Sequence, residues 1–332
     1  MYKVKVSLCE QDTGINRQLP SSGFEWKNYR FYINEQIEEA DFWVVCYQKV
    51  PFGKETCFVA PENTLFITWE PDSVYHFSSG FLNQFGKIIS CQKYLKHKNL
   101  EYDQPGLAWH IGKVRQNNKT HFTQTYDSLS ASSPKKTKLM SVICSNRAIS
   151  SGHRARINFV MKLKEIFGDD LDVFGRGFCD FLDKWDVISP YKYHIAIENC
   201  SSPYYWSEKL ADTYLGDAFP FYYGCTNVHE YFNSNSLKII DIYDIEKSVD
   251  IIKNTINQNY YEKYLQEIVN AKDMVLNRYN FFDLAVRNFE KMNPLAPKKQ
   301  HTIKNDICFI DLKKIPLYST RAFNLLKYKF LA

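Results

Sequence analysis

Residues 191–224 carry the combination of residue types and spacing best suited to chemistry. The apolar start of this stretch predicts a buried strand, and Glu198 and Asn199 follow where that strand ends. A loop rich in Ser, Pro and aromatic residues then leads to Ser207. Ligands of open α/β sheets bind where parallel strands end at the carboxyl edge. The stretch therefore predicts a ligand site at a strand end.

A helix start with a charged pair follows this loop. Ser207 is predicted to cap a short helix whose first turn contains Glu208 and Lys209. A helix N-terminus offers free N–H groups and a positive dipole, which suit a diphosphate. Lys209 opposes that dipole unless Glu208 or a bound anion compensates. Taken alone, such a pair is more often an ordinary surface feature, so the prediction depends on the residues around it.

The elements that position these residues alternate between short apolar runs and helical stretches, a pattern typical of α/β proteins with parallel sheets. The predicted strands are Tyr2–Leu8, Phe42–Tyr47, Leu65–Trp69, Lys87–Cys91, Leu139–Cys144, Leu171–Phe174, Tyr193–Ile197, Phe219–Tyr223 and Leu237–Ile242. A helix is predicted over Ala155–Phe167, with Phe159, Leu163, Ile166 and Phe167 on one face. Long helices are predicted to fill Ile245–Glu290.

Length and charge set the domain organisation. A chain of 332 residues suggests about two domains, and polar residues 117–138 predict a linker or long loop. We expect lobes over residues 1–135 and 136–295, and a basic tail over 296–332. The whole chain has a net charge of +5. Residues 291–332 have a net charge of +7, so residues 1–290 have a net charge of −2. This nearly neutral body disfavours a general nucleic-acid-binding face.

The cysteines and the N-terminus bear on the compartment. Nine scattered cysteines without a CxxC pair favour reduced thiols over a disulfide framework or zinc cage. The alternating start at Met1–Val6 lacks the long apolar core of a signal peptide. No run approaches the roughly 20 apolar residues of a membrane span. We expect a cytoplasmic protein, with its tail as a separate question.

Several separated motifs resemble one enzyme family. The segments Ile197-Glu198-Asn199, Ser207-Glu208-Lys209 and Phe219-Pro220 through Gly224 are similar, in order and spacing, to the donor-binding signature of glycosyltransferase family 10, the α-1,3/4-fucosyltransferases. Cys144-Ser145-Asn146-Arg147 resembles the family's Ser-Asn segment, and Asp172 through Gly177 resembles a strand-turn signature. The resemblance covers residues 139–241 well and the rest loosely.

The resemblance implies a GT-B fold, with two Rossmann-like lobes, a cleft between them and a C-terminal helical segment. It implies GDP-fucose as donor, bound by the lobe over 136–295, with no cofactor. Arg156 and Lys209 would contact the diphosphate, where the planar fork of an arginine binds phosphate oxygens in pairs. Glu208 would hold ribose or sugar hydroxyls, and Asn199 and Tyr205 would line the pocket.

Neighbouring residues leave some of these assignments open. Arg154 is close enough in sequence to take the place of Arg156, and Tyr204 and Trp206 adjoin Tyr205. For Arg176, a role in the turn alone is as well supported as a role in binding.

The resemblance also implies a catalytic base in the acceptor-binding lobe over 1–135. An inverting transfer needs a base to take the proton of the acceptor hydroxyl. Glu70 follows the apolar run 65–67 and is the nearest match to the family's glutamate. Pro71 and Asp72 depart from the family pattern, so either Glu70 or Asp72 fits the role. Glu25 and Glu35 are weaker candidates.

Other polar groups have simpler interpretations. The pairs Asp183/Asp186 and Asp241/Asp244 are similar to metal motifs, but such pairs are common without metal. We expect no obligatory metal, because basic side chains and helix dipoles handle leaving-group charge in the GT-B arrangement. His110 has no recognisable partner in the sequence.

The function implied is inverting transfer of fucose from GDP-fucose to a glycan hydroxyl, on a GlcNAc-containing surface polysaccharide or lipopolysaccharide. The alternatives are another GDP-deoxysugar as donor, or a non-catalytic nucleotide- or glycan-binding protein. Residues 319–330 predict a basic amphipathic helix in the tail. That helix would either contact an anionic membrane at the inner face of the cytoplasmic membrane or pack on the enzyme.

Overall fold

The structure is a computed structural model that describes residues 1–8, 14–46, 53–117, 119–146 and 151–309. The chain divides into two compact units. The first unit comprises residues 1–11, 25–105 and 285–332, and the second comprises residues 12–24 and 106–284.

The described residues form strands and helices with the following bounds. The strands are β1 (Tyr2–Leu8), β2 (Glu25–Trp26), β3 (Tyr29–Ile33), β4 (Phe42–Cys46), β5 (Lys54–Val59), β6 (Thr64–Ile67), β7 (Lys87–Ser90), β8 (Leu100–Tyr102), β9 (Lys113–Gln116), β10 (Lys119–Phe122), β11 (Lys138–Ile143), β12 (Leu171–Phe174), β13 (Tyr191–Ile197), β14 (Phe219–Tyr223), β15 (Lys238–Ile239) and β16 (Lys299–Lys304). The α-helices are α1 (Ser79–Leu82), α2 (Tyr126–Ala131), α3 (Ser151–Phe167), α4 (Lys184–Ile188), α5 (Glu208–Leu215), α6 (Ile245–Asn257), α7 (Tyr260–Lys263), α8 (Leu265–Asn277) and α9 (Phe281–Phe289).

The first unit contains a seven-stranded sheet in the order β2-β3-β1-β4-β6-β7-β8. Its strands are parallel except for β2, which pairs antiparallel with β3. All five residues of β4 are buried, as expected for a parallel strand covered on both faces. The predicted strand over Tyr2–Leu8 is confirmed in full, and the other three of this region within a few residues.

The segment predicted as the start of a tail is instead part of the first unit. Strand β16 pairs antiparallel with β5, and Ile303 is completely buried. Asp306, also buried, accepts hydrogen bonds from the side chains of Tyr75 and Ser78. The basic composition misled the prediction, because Lys299 and Lys304 are exposed while Ile303 between them enters the core. The predicted helix over 319–330 lies outside the described residues.

The second unit is built on a five-stranded parallel sheet in the order β12-β11-β13-β14-β15. Its strands all end at one edge, so residues 144–146, 175–177, 198–199 and 224 follow strand ends there. Helices α3, α5, α6 and α8 contribute to its core. On α3, Phe159 and Leu163 are buried as predicted, but Ile166 is 45% exposed, so the predicted apolar face is shorter than expected.

The region predicted as an interdomain linker is folded into the second unit. Strands β9 and β10 pair antiparallel, and α2 begins with a capping box in which Thr125 and Ser128 satisfy each other's backbone. Leu129 is completely buried. The polar residues of this region lie on its exposed side, while one leucine anchors it. The units therefore change over at 105/106 and 284/285 rather than at the predicted 135/136 and 295/296.

The predicted α/β class is confirmed, because each unit holds a parallel sheet with helices. Two such Rossmann-like units are the components of a GT-B fold. The predicted cleft concerns their relative placement and stays a prediction. In the described part of the chain, no helix has the length and apolar character needed to cross a membrane.

Candidate functional site

A buried carboxylate joins the end of β13 to the start of α5. Glu198 is 2% exposed, and its carboxylate accepts the backbone N–H of Ser207 at 2.8 Å and the Ser207 hydroxyl at 2.6 Å. The Ser207 hydroxyl oxygen in turn accepts the backbone N–H of Lys209 and so caps α5, as the sequence predicts. The strand end and the helix start are thereby fixed to each other.

The neighbouring strand end must leave room for this carboxylate. Gly224 follows β14, and a Cβ there would lie 2.3 Å from Cγ of Glu198 and 2.5 Å from the hydroxyl of Tyr222. Both contacts are far closer than real carbon contacts allow. A glycine is therefore needed next to Glu198 for steric reasons.

Three charged side chains meet at the N-terminus of α5. The ammonium of Lys209 lies 3.1 Å from Oε1 of Glu208 and 3.5 Å from Oε2 of Glu198. Burial acts to lower the pKa of Lys209, but the carboxylates of Glu208 and Glu198 outweigh it and raise that pKa. Burial acts to raise the pKa of Glu208, but Lys209, His110 and Lys184 hold it well below its usual range. Lys209 is thus a fixed cation and Glu208 a fixed anion.

Arg156 reaches the same site from α3. Its Nη1 donates to Oδ1 of the exposed Asn199 at 3.1 Å. Its Nε is buried, and no described atom accepts its proton in hydrogen-bond geometry. Burial raises the pKa of the nearby Cys144 thiol, and the charge and side-chain hydrogen bonding of Arg156 act to lower it. A buried guanidinium proton without an acceptor suits an anionic ligand.

These residues border one pocket in the second unit. The pocket has a volume of about 210 Å³. Its polar lining includes Ser145, Arg156, Lys184, Glu208, Lys209 and His110, and its apolar lining includes Ile143, Ile188 and Ile197. The structure thus brings together Arg156, Glu208 and Lys209 as the sequence predicts, with Asn199 in contact through Arg156. The cationic groups of Arg156, Lys184 and Lys209 line a space that suits an anionic ligand.

Sequence reasoning missed two members of this site. Asp212, one turn after Glu208 on α5, is completely buried and binds the ammonium of Lys184 at 2.7 Å. That ammonium lies 3.9 Å from Glu208. The i, i+4 spacing of Glu208 and Asp212 is a signal that the sequence does contain. Lys184 comes from α4 and has no such signal.

Residues 133–293 match the model of the family described as Glycosyltransferase family 10 (fucosyltransferase) C-term. This part of the chain is thus similar to glycosyltransferase family 10. We call residues 133–293 the family 10 segment.

Individual proteins are also similar to the chain. An alpha-(1,3)-fucosyltransferase, FucT, of Helicobacter pylori is 28% identical over 94 residues, which are 27% of this chain and 20% of the relative. The chain thus matches about a fifth of that relative's length. Two solved alpha1,3-fucosyltransferase structures, one with GDP and one with GDP-fucose, are 17% and 16% identical to this chain. Each has a TM-score of 0.46, and each comparison covers 84% of this chain and 92% of the other.

Tyr205 lies in the family 10 segment but is not brought to the pocket. Its side chain is 3% exposed, in the loop before α5, and it is not among the residues that line the pocket. Its role as a lining residue stays a prediction. Trp206 beside it is likewise buried and packs against Tyr231, Phe232 and Tyr279.

The Gly-Arg-Gly turn of the family 10 segment has a structural role. Gly175 and Gly177 have φ values of 118° and 84°, which favour glycine. A Cβ on Gly175 would lie 2.2 Å from the carbonyl oxygen of Cys144. The backbone N–H of Asn146 donates to the carbonyl of Arg176 at 3.0 Å, and the Arg176 side chain is exposed. The turn therefore supports Asn146, in the segment that follows β11. Arg147 of the same motif lies outside the described residues.

One member of each acidic pair caps a helix. Asp183 caps α4 and accepts the backbone N–H of Gly112 at 2.8 Å, as well as the hydroxyl of Thr123. Asp244 caps α6, and Asp241 accepts the backbone N–H of Tyr243. Within the described ranges, no group of three or more His, Cys, Asp or Glu side chains is arranged to hold a metal ion.

The candidate base lies in the first unit. Glu70 follows β6 by three residues, and its carbonyl accepts the side-chain amide of Gln92 at 2.8 Å. The same amide donates to the carbonyl of Tyr75 at 2.9 Å, so Gln92 ties the two ends of the loop that contains Asp72. Of the weaker candidates, Glu25 forms an exposed pair with Arg30. The choice between Glu70 and Asp72 stays a prediction.

Proposed function

We propose that this protein is an inverting fucosyltransferase that moves fucose from GDP-fucose to a hydroxyl of a glycan acceptor. The observation that carries the proposal is that Arg156 and Lys209 line one pocket beside the capped start of α5, where Nε of Arg156 has no hydrogen-bond acceptor among the described residues. The match of residues 133–293 to the family 10 model and the similarity to the fucosyltransferase relative support this choice of donor.

The donor diphosphate would bind between Arg156 and Lys209. The guanidinium offers two parallel N–H groups to phosphate oxygens, and the start of α5 adds free backbone N–H groups. Negative charge develops on GDP as the bond to the sugar breaks, and fixed cations stabilise it without reorganising. Glu208, held ionised, would accept hydrogen bonds from ribose or sugar hydroxyls.

The acceptor oxygen would attack the anomeric carbon from the face opposite GDP. A bond forms between the acceptor oxygen and that carbon while the bond to the phosphate oxygen breaks, and GDP leaves with the electron pair. Glu70 or Asp72 takes the hydroxyl proton. One displacement on one face inverts the configuration. We propose that the transfer requires no metal ion. In that case GDP release continues in the presence of excess EDTA.

The decisive experiment supplies GDP-fucose with a panel of galactose- and GlcNAc-containing acceptors and measures GDP release. Release above background, with product of inverted configuration, supports the proposal. The variants Glu70→Gln and Asp72→Asn identify the base, because only loss of the base abolishes turnover while GDP binding remains. No release and no calorimetric GDP binding would refute the proposal.

Two alternatives have distinct outcomes in the same assay. GDP release with another GDP-deoxysugar, in place of GDP-fucose, indicates a related transferase. GDP binding without turnover, equal in the wild type and in Glu70→Gln, indicates a binding protein. The specific acceptor, a GlcNAc-containing surface polysaccharide or lipopolysaccharide, is tested by the acceptor panel.

A further inference from the structure

Residues 109–111 are clamped from two sides in the second unit. Oδ1 of Asp212 accepts the backbone N–H groups of His110 and Ile111, each at 3.0 Å. From the other side, the buried guanidinium of Arg17 donates to the carbonyls of Trp109 and Gln124. The backbone at His110 is therefore fixed by a carboxylate on α5 and by an arginine from residues 14–24.

This clamp places the His110 ring against Glu208. Nδ1 of His110 lies 3.6 Å from Oε1 of Glu208, and the His110 side chain is 48% exposed. Asp212 and Glu208 are one helical turn apart on α5, so the carboxylate that holds the backbone also sets the distance of the ring from Glu208. The side chain of His110 is not needed for that clamp, because the backbone forms the hydrogen bonds.

Glu208 has three nitrogen neighbours at the same oxygen. Lys209 lies at 3.1 Å, His110 at 3.6 Å and Lys184 at 3.9 Å from Oε1. Lys184 is bound more closely by Asp212, at 2.7 Å, so its charge is directed mainly to that residue. Lys209 is shared with Glu198. His110 is thus the neighbour of Oε1 for which the described residues show no second carboxylate partner within 4 Å.

We propose that His110 is a positioning residue for Glu208. A proton on Nδ1 is directed to Oε1, which orients the carboxylate so that Oε2 accepts a hydroxyl of the nucleotide-sugar. The proposal rests on the proposed function, since it requires Glu208 to contact the donor. His110 lies outside residues 133–293, so it extends the donor site beyond the family 10 segment.

The test measures calorimetric binding of GDP-fucose, together with KM and kcat, for His110→Ala, His110→Asn, Glu208→Gln and the double variant His110→Ala/Glu208→Gln. An exposed histidine on β10 provides the matched control His121→Ala. Burial lowers the pKa of His110, so its neutral ring acts through the Nδ1 proton and not through a charge. For His110→Ala we expect roughly two- to fivefold weaker donor binding and a KM raised equally, with kcat nearly unchanged, as for loss of one weak polar contact. His110→Asn, which retains an N–H near the Nδ1 position, restores most of the affinity.

The double variant separates positioning from other roles. If His110 acts through Glu208, the His110→Ala change has no further effect in the Glu208→Gln background. An equal loss in both backgrounds, or no loss in the wild-type background, overturns the proposal. If the wild type binds neither GDP nor GDP-fucose, the proposed function itself fails, which is a different outcome. Thermal unfolding of each variant confirms that the clamp on the backbone is intact.

Discussion

The carboxylate of Glu198 accepts both the backbone N–H and the hydroxyl of Ser207, at 2.8 and 2.6 Å. Burial raises the pKa of this carboxyl group, and Lys209 acts in the opposite direction. The candidate donor site thus depends on a buried acid that does not line the pocket itself. Its effect on a ligand is transmitted through the position of α5.

Replacement of Glu198 by Gln tests this dependence. The amide supplies one acceptor and one donor where two acceptors are needed, so the Ser207 hydroxyl loses its partner. We expect the free energy of unfolding to fall by about 1–3 kcal/mol and GDP binding to weaken, as measured by urea unfolding and calorimetry at pH 7. The exposed Glu165→Gln on α3 is the control and should change neither quantity. If Glu198→Gln were as stable as the wild type, the site would not depend on the buried carboxylate of Glu198.

Arg156 and Arg154 are two residues apart on α3, and they provide a direct comparison. Arg156 lines the pocket, whereas the Arg154 side chain is exposed. We expect Arg156→Ala to weaken GDP binding by roughly tenfold or more, since it removes a charge-assisted contact with phosphate worth about 1.5–3 kcal/mol. Arg154→Ala should bind GDP as the wild type does. The reverse order in calorimetry would assign the phosphate contact to Arg154.

Lys136 gives a prediction for stability against pH. Its ammonium donates to the carbonyls of Ser189 and Gly216, which cap the C-termini of α4 and α5. Burial lowers its pKa to about 7, with Asp217 acting to raise it and Lys272 to lower it. An unfolded lysine keeps a pKa of about 10.4. Between those values the unfolded chain binds more protons, so the contribution of Lys136 to stability rises with pH.

The measurement compares the free energy of unfolding of the wild type and Lys136→Met from pH 7 to pH 9. We expect the wild type to gain about 1–2 kcal/mol relative to the variant over that range. Lys138→Met is the control, because the hydrogen bond with Asp172 raises the pKa of Lys138 to about 12. Its profile should run parallel to the wild type. If the stability of Lys136→Met also ran parallel to that of the wild type from pH 7 to pH 9, the pKa of Lys136 would not be lowered in the folded protein.

Asp306 tests whether the residues after 296 belong to the first unit. Its buried carboxylate accepts the Tyr75 hydroxyl at 2.7 Å and the backbone N–H of Ser78 at 3.0 Å. Asp306→Ala leaves these buried donors unpaired, and we expect a loss of about 2–4 kcal/mol in chemical unfolding. The exposed Glu38→Gln serves as control. An unchanged midpoint for Asp306→Ala would mean that the segment is dispensable for the fold.

The predictions from sequence succeeded where local signals were sufficient. The cap at Ser207 was predicted because a hydroxyl, an acidic residue and an apolar run occur within a few residues. The strand Phe219–Tyr223 was predicted because its apolar run has the length of a buried strand. The second compact unit extends back to residue 106, beyond the predicted start at 136, because polarity marks exposed residues and not the borders of compact units. The buried Leu129 and the hydrogen bonds of Lys136 to the carbonyls of Ser189 and Gly216 attach that polar region to the second unit.

The sequence by itself determined the α/β class, the order of the strands along the chain and the family 10 motifs, because periodicity and motif spacing are properties of neighbouring residues. Only the tertiary structure decided that Asp212 holds the backbone of His110 and that Lys184 joins Glu208. These residues come from separate elements, and their proximity results from the order of strands in the sheet and the packing of α4 and α5 on it. Long-range contacts of this kind leave no periodic signal in one sequence.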